Sequence, residues 1–248
     1  MKSSKIAFCL GALFSSVALA GPADYVYTPN VEYGEREIDF KYGWDKLPSG
    51  QKEQAASLGF GYGASEKWFT EVYVKYEQAA GQGTHIDAFE WENKFQLTET
   101  GQYAVDVGLI TEIEIPARSG GAYEFRFGPL FQREFGKLQL NANLLFERKY
   151  GGDLDPGEGP RKTGIGYQWQ AKYRWQPALE FGMQGFGEMG EWNHWDQKDQ
   201  QNHRLGPALF GKVALGNHQV IKYNAAWLAG VSQAAPDHTF RLQAEYEF

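Results

Sequence analysis

Cysteine is almost absent: the single copy in 248 residues, Cys9, lies within the first twenty. A disulfide framework, a thiolate metal centre and a cysteine nucleophile are therefore excluded for everything after residue 20. That remainder also lacks any run approaching ~20 apolar residues, so it encodes no membrane-spanning helix. Basic charge is scarce too. Lys and Arg number 24 against 31 Asp and Glu; without Lys2 and Lys5 the balance is 22 against 31, a formal charge of −9. An acidic chain of this kind is a poor fit to nucleic acid, whose binding depends on basic patches. Mean hydropathy is −0.52, a value that looks soluble.

What the chain has instead is alternation. In Thr239–Phe248, Phe240, Leu242, Ala244, Tyr246 and Phe248 fall on one face of an extended strand. Thr239, Arg241, Gln243, Glu245 and Glu247 fall on the other, because side chains alternate along a strand. A charge on the lipid face of a barrel costs about 2–4 kcal/mol at the bilayer midplane, so the charged face is assigned to the interior. The pattern recurs along the chain and predicts about twelve strands of about ten residues, the length a tilted strand needs to cross a bilayer. The first strand is expected near 31–42, after a short polar lead over 21–30. Connections alternate between minimal turns (Gly63–Lys67, Thr98–Gly101, Phe135–Lys137, Gln176–Ala178, Leu215–Asn217) and longer polar loops. A soluble sandwich has no reason to alternate in this way. The fold class expected is all-β: a transmembrane antiparallel up-and-down β-barrel.

The N-terminus supports export. Lys2 and Lys5 precede an apolar run from Ile6 to Leu19, and Ala18-Leu19-Ala20 supplies a small-residue cleavage site. Residues 1–20 thus read as a signal peptide and 21–248 as one barrel domain. The terminal strand, with an aromatic or apolar residue at every second position and Phe248 at its end, resembles the C-terminal recognition signal of Gram-negative outer-membrane β-barrels. That resemblance implies an outer-membrane location, insertion by the barrel-assembly machinery through this strand, and contact with membrane lipid and lipopolysaccharide. Two near-duplicates, Arg126-Phe-Gly-Pro-Leu-Phe131 and Arg204-Leu-Gly-Pro-Ala-Leu-Phe210, resemble a loose group of exported barrels labelled as transporters and associated with phenol and aromatic-compound degradation clusters. Pro129 and Pro207 cannot donate to a ladder, which predicts a bulge or kink near the rim.

The inward faces carry the functional expectation. Glu37, Asp39, Lys41, Glu71, Lys75, Glu90, Glu92, Lys94, Asp106 and Arg126 fall there in the first half. Gln168, Gln170, Lys172, Arg174, Lys222 and Arg241 follow in the second. An acidic arc would face a more basic one, with Glu71–Lys94 and Lys75–Glu92 as candidate pairs. Such a transverse field constricts and orients solutes in a diffusion channel. The function expected is a passive porin for small polar or aromatic solutes, with no cofactor. A lipid-modifying hydrolase and a structural or adhesive barrel with a plugged lumen are the alternatives. No serine sits at pairing distance in sequence from His85, His194, His203 or His238, and no nucleophile motif occurs, so no catalytic residue is assigned. The loop Trp192–His203 has two histidines and two aspartates but nothing that fixes them as metal ligands.

Overall fold

A computed structural model describes residues 21–154 and 160–248. The expected signal peptide and residues 155–159 of the long acidic loop lie outside the described residues. The strands are β1 (Arg36–Lys46), β2 (Lys52–Ser65), β3 (Trp68–Gln78), β4 (His85–Gln96), β5 (Asp106–Pro116), β6 (Tyr123–Phe135) and β7 (Leu138–Tyr150). They continue as β8 (Thr163–Gln176), β9 (Leu179–Glu191), β10 (His194–Trp195), β11 (Asn202–Gly216), β12 (Gln219–Gly230) and β13 (His238–Glu247). All neighbours are antiparallel, and β13 closes the ring on β1, from Glu37 opposite Glu247 to Lys46 opposite His238. Twelve strands form the closed barrel; β10 is a two-residue arm folded back on the end of β9.

The alternation survives in three dimensions. In β13, Thr239, Arg241 and Gln243 are buried, while Phe240, Leu242 and Ala244 lie on the outer face. Phe40, Leu58, Val72, Trp91, Met183 and Leu209 stand exposed around the outside, the belt that lipid would cover. Breaks in that belt have local causes. Gly185 and Gly187 leave room for the rings of Trp169 and Tyr167, which lie where a Cβ on either glycine would sit. Asn93, a polar residue on the outer face, accepts a hydrogen bond from Trp68 Nε1 at 3.0 Å and is itself buried.

Three features differ from the sequence reading. The first strand begins at Arg36 rather than near residue 31, because residues 21–35 enter the barrel. The β4–β5 connection spans 97–105 rather than a minimal turn, which takes Tyr103 out of the strand. Pro129 and Pro207 sit within their strands, with no bulge and no rim kink. Gly128 and Pro129 are skipped in the ladder to β7, and Gly206 and Pro207 in that to β12, yet the register on either side is unchanged. The glycine before each proline explains the tolerance. A Cβ on Gly128 would lie 1.9 Å from the Leu144 carbonyl oxygen, and one on Gly206 2.0 Å from that of Trp227.

Candidate functional site: the lumen and the strap across it

Residues 21–35 form a strap that enters at the end of the barrel carrying the short turns. There Gly34 donates its N–H to the Gly63 carbonyl at 2.9 Å, and Gly63 donates to that of Glu35 at 2.9 Å. Farther in, Val31 donates its N–H to Gln96 Oε1 at 2.8 Å. Three inward-facing glycines make room for the strap's path. A Cβ on Gly63 would lie 1.9 Å from the Glu32 carbonyl oxygen, and one on Gly108 2.9 Å from Pro29. A Cβ on Gly43 would lie 1.9 Å from the Pro22 carbonyl oxygen. The strap therefore climbs past the mid-height of β1.

Mid-lumen, successive strap side chains dock on different sectors of the wall. Tyr27 packs against Ile110, Leu130 and Leu145 of β5, β6 and β7. Val26 packs against Phe186, Ala208, Phe210, Ala226 and Leu228 of β9, β11 and β12. Leu130 and Ala208 are the inward residues just after the two Gly-Pro pairs, so the duplicated sequence supplies one docking wall in each sector. Sequence reasoning missed both walls. The available signal was two neighbouring apolar residues, Leu109-Ile110 or Leu144-Leu145, where strict alternation calls for only one.

Polar contacts match this arrangement. Tyr25 donates its hydroxyl to Glu92 Oε2 at 2.7 Å, Tyr27 donates to Glu112 Oε1 at 2.5 Å, and Asn143 Nδ2 donates to the Tyr27 carbonyl at 3.1 Å. Lys41 Nζ lies 3.6 Å from the Tyr25 ring centroid and 3.7 Å from that of Tyr73, both in the range of a cation–π contact. The strap thus presents hydroxyl donors to the acidic wall.

The sixteen expected pore-lining residues all project inward. Glu37, Asp39, Lys41, Glu71, Glu92, Asp106, Arg126, Gln168, Gln170 and Arg241 are buried; Lys75, Glu90, Lys94, Lys172, Arg174 and Lys222 are half-buried. Their pairing differs from expectation. Lys75 bridges Glu90 at 3.1 Å and Glu114, rather than Glu92, because Glu71 lies opposite Glu92 and Lys75 opposite Ala88. Lys94 sits 4.9 Å over the Phe69 ring, and Glu71 Oε1 has no hydrogen-bond partner. Arg126 holds Glu112 and Glu147 at 3.0 Å each and Glu124 at 3.4 Å. Arg241 spans Gln184 and Asn224 but leaves Nε and Nη2 unpartnered.

Between the strap and the turn end lies a cavity of about 770 Å³, roofed by Tyr25, Val26 and Tyr27. From the sixteen, Glu37, Asp39, Glu71, Glu92, Lys94, Gln170, Lys172, Arg174 and Lys222 reach it. The other seven lie outside its lining. Toward the loop end, His203 engages Tyr167 at 3.0 Å and Gln201 at 2.8 Å through its ring, and Ser232 Oγ accepts only its backbone N–H. That is not a nucleophile–base arrangement. Trp192, just after β9, and Trp195, in the β10 arm, are exposed.

A closed twelve-strand wall, an apolar outside and a charged inside define a transmembrane β-barrel of the outer-membrane type. Solved structures share that architecture. An outer membrane channel from Pseudomonas putida F1 is 12% identical, with 92% of this chain and 98% of the other covered and a TM-score of 0.60. The NanC porin is 11% identical over 85% of this chain and 98% of its own, with a TM-score of 0.57. At such identities the likeness is one of fold. No protein-family profile and no curated protein sequence matches the chain.

Proposed function

We propose that this protein is a passive outer-membrane channel for small polar solutes, closed at mid-height by its own strap. The observation that carries the reading is the cavity beneath the strap. It is walled by carboxylates, lysines and amides inside a barrel whose outside is apolar, and it needs no cofactor. The charged lining favours polar solutes over the aromatic ones that the weaker resemblance implies. The short-turn end is the periplasmic side on this reading, since bacterial barrels keep short turns and both termini there. The assembly machinery would insert the barrel through the strand ending at Phe248, and the exposed loop tryptophans would meet lipopolysaccharide. The sixteen inward residues would line the path once the strap yields. Purified protein in planar bilayers tests the proposal: discrete conductance steps are expected, and their absence under every voltage and salt condition refutes it. Release of fatty acid from phospholipid, abolished by His203→Ala, would point to a hydrolase instead.

A further inference from the structure

We infer that the cavity beneath the strap is a binding chamber for a zwitterionic solute, one with an ammonium group at one end and a carboxylate at the other. The inference rests on the channel reading above and deepens it. Charge in the chamber is sorted by wall. Seven carboxylates of the lining, from the strap and from β1, β3, β4 and β13, among them Glu37, Glu71 and Glu92, meet Lys94, Lys222 of β12 and, behind the lining, Lys41, which pairs with Asp39 at 3.3 Å. Across the ring, Lys137, Lys172, Arg174 and Lys212 share the lining with one carboxylate, Glu180, which pairs with Lys172, while Arg174 pairs with Glu134 outside the lining. In strand order β3 and β4 lie roughly half a turn from β8 to β11, so the two sets face each other across the lumen.

Two further features point to a ligand rather than to internal neutralisation. First, the lining keeps buried polar atoms with no partner of their own. Glu71 Oε1 on β3 accepts from nothing, and Gln132 Nε2 on β6 donates to nothing, although both residues are at most 3% exposed and line the cavity. Buried polar atoms are normally satisfied, so a vacant acceptor and a vacant donor on one lining mark where ligand atoms would go. Second, among the described residues no carboxylate pairs with Lys212 or Lys137, which leaves cations on the side that a ligand carboxylate would approach. The amides of Gln139, Gln170, Asn224 and Gln243 complete the lining. A volume of about 770 Å³ lies within the range of small-molecule sites. It suits a solute the size of a short peptide.

Titration calorimetry of the detergent-purified barrel with triglycine tests this, alongside N-acetyl-triglycine and triglycine amide, each of which lacks one charge. Triglycine is expected to bind at least ~10-fold more tightly than either, because each lost pole forfeits a charge-assisted contact. Lys212→Gln, an exposed change that leaves the wall intact, is expected to weaken triglycine and the acetylated peptide but not the amide. Glu71→Gln is expected to weaken triglycine and the amide but not the acetylated peptide, with heat-modifiable gel mobility confirming a folded barrel. Equal binding of all three peptides, or binding of none, overturns the inference. Swelling of protein-loaded vesicles separates it from the channel reading. Triglycine binding without solute flux would sink the channel and keep the chamber. Flux of triglycine and sucrose at equal rates, without binding, would keep the channel and sink the chamber.

Discussion

Replacing Gly43 by valine puts the strap to a test that leaves its own sequence untouched. A Cβ at this position lies 1.9 Å from the Pro22 carbonyl oxygen, 2.3 Å from the Pro22 carbonyl carbon and 2.9 Å from the Ala23 nitrogen. All three are backbone atoms, so no side-chain rotation relieves the clash. The wall has little freedom to yield, because β1 is laddered to β2 on one side and to β13 on the other. The strap is held at this level by contacts of its own rather than by a ladder, and it is the element that moves. Overpacking a filled interior costs about 1–3 kcal/mol. At about 1.4 kcal/mol per factor of ten, such a cost shifts the docked-to-undocked ratio roughly 5- to 150-fold. Gly43→Val is therefore expected to give longer and larger conductance openings in planar bilayers. Gly83→Ala, at a position with nothing within 4 Å of the added atom, should behave as wild type. Hydrogen exchange at Val26 and Tyr27 supplies an independent readout. A folded Gly43→Val barrel with unchanged conductance and unchanged protection there would refute the reasoning.

The other predictions concern the interior network and the outer belt. Tyr27→Phe removes the hydroxyl bonded to Glu112, a hydrogen bond to a charged group worth about 1.5–3 kcal/mol, and should speed exchange at the Tyr27 amide about ten- to a hundred-fold. Arg126→Met leaves Glu112, Glu124 and Glu147 without their shared cation. Breaking a buried cluster of this kind costs about 3–5 kcal/mol and should lower the unfolding temperature in detergent. Lys46→Ala, which breaks a half-exposed pair with Asp237, should change stability by no more than about 1 kcal/mol. Phe40→Arg places a charge in the outer belt and should cost about 2–4 kcal/mol in a bilayer-refolding titration if the residue lies near the midplane.

The barrel was legible in the sequence because a closed wall between lipid and water imposes period two on every strand. Lys172 and Arg174 point inward and Trp169 outward, as the alternation of β8 requires. The strap was not legible, because residues 21–35 carry no period at all. Pro22, Pro29 and Gly34 read as a loop, and nothing local shows that the loop runs inside the wall. Its traces lie instead in the strands it touches: the inward glycines at 43, 63 and 108, and the inward apolar residues Ile110, Leu130, Leu145 and Phe186 among polar neighbours. Those positions break the charged inner face only where another piece of chain covers them. The Arg-x-Gly-Pro pair misled in the same way. A proline in a closed barrel suggests a defect at the rim, whereas here the preceding glycine lets the neighbouring backbone lean in and the register runs on. Ion-pair partners were out of reach too, since a diagonal contact such as Lys75 to Glu90 depends on a stagger that alternation does not encode.

The central claim is that an intact barrel surrounds a polar path that residues 21–33 obstruct. It is tested most directly by comparing, in planar bilayers, the full chain with one lacking those residues, both first shown to be folded by heat-modifiable mobility. Brief, small steps from the full chain and large, sustained ones from the shortened chain are the predicted result. Identical conductance from the two, or none from the shortened barrel, would contradict it.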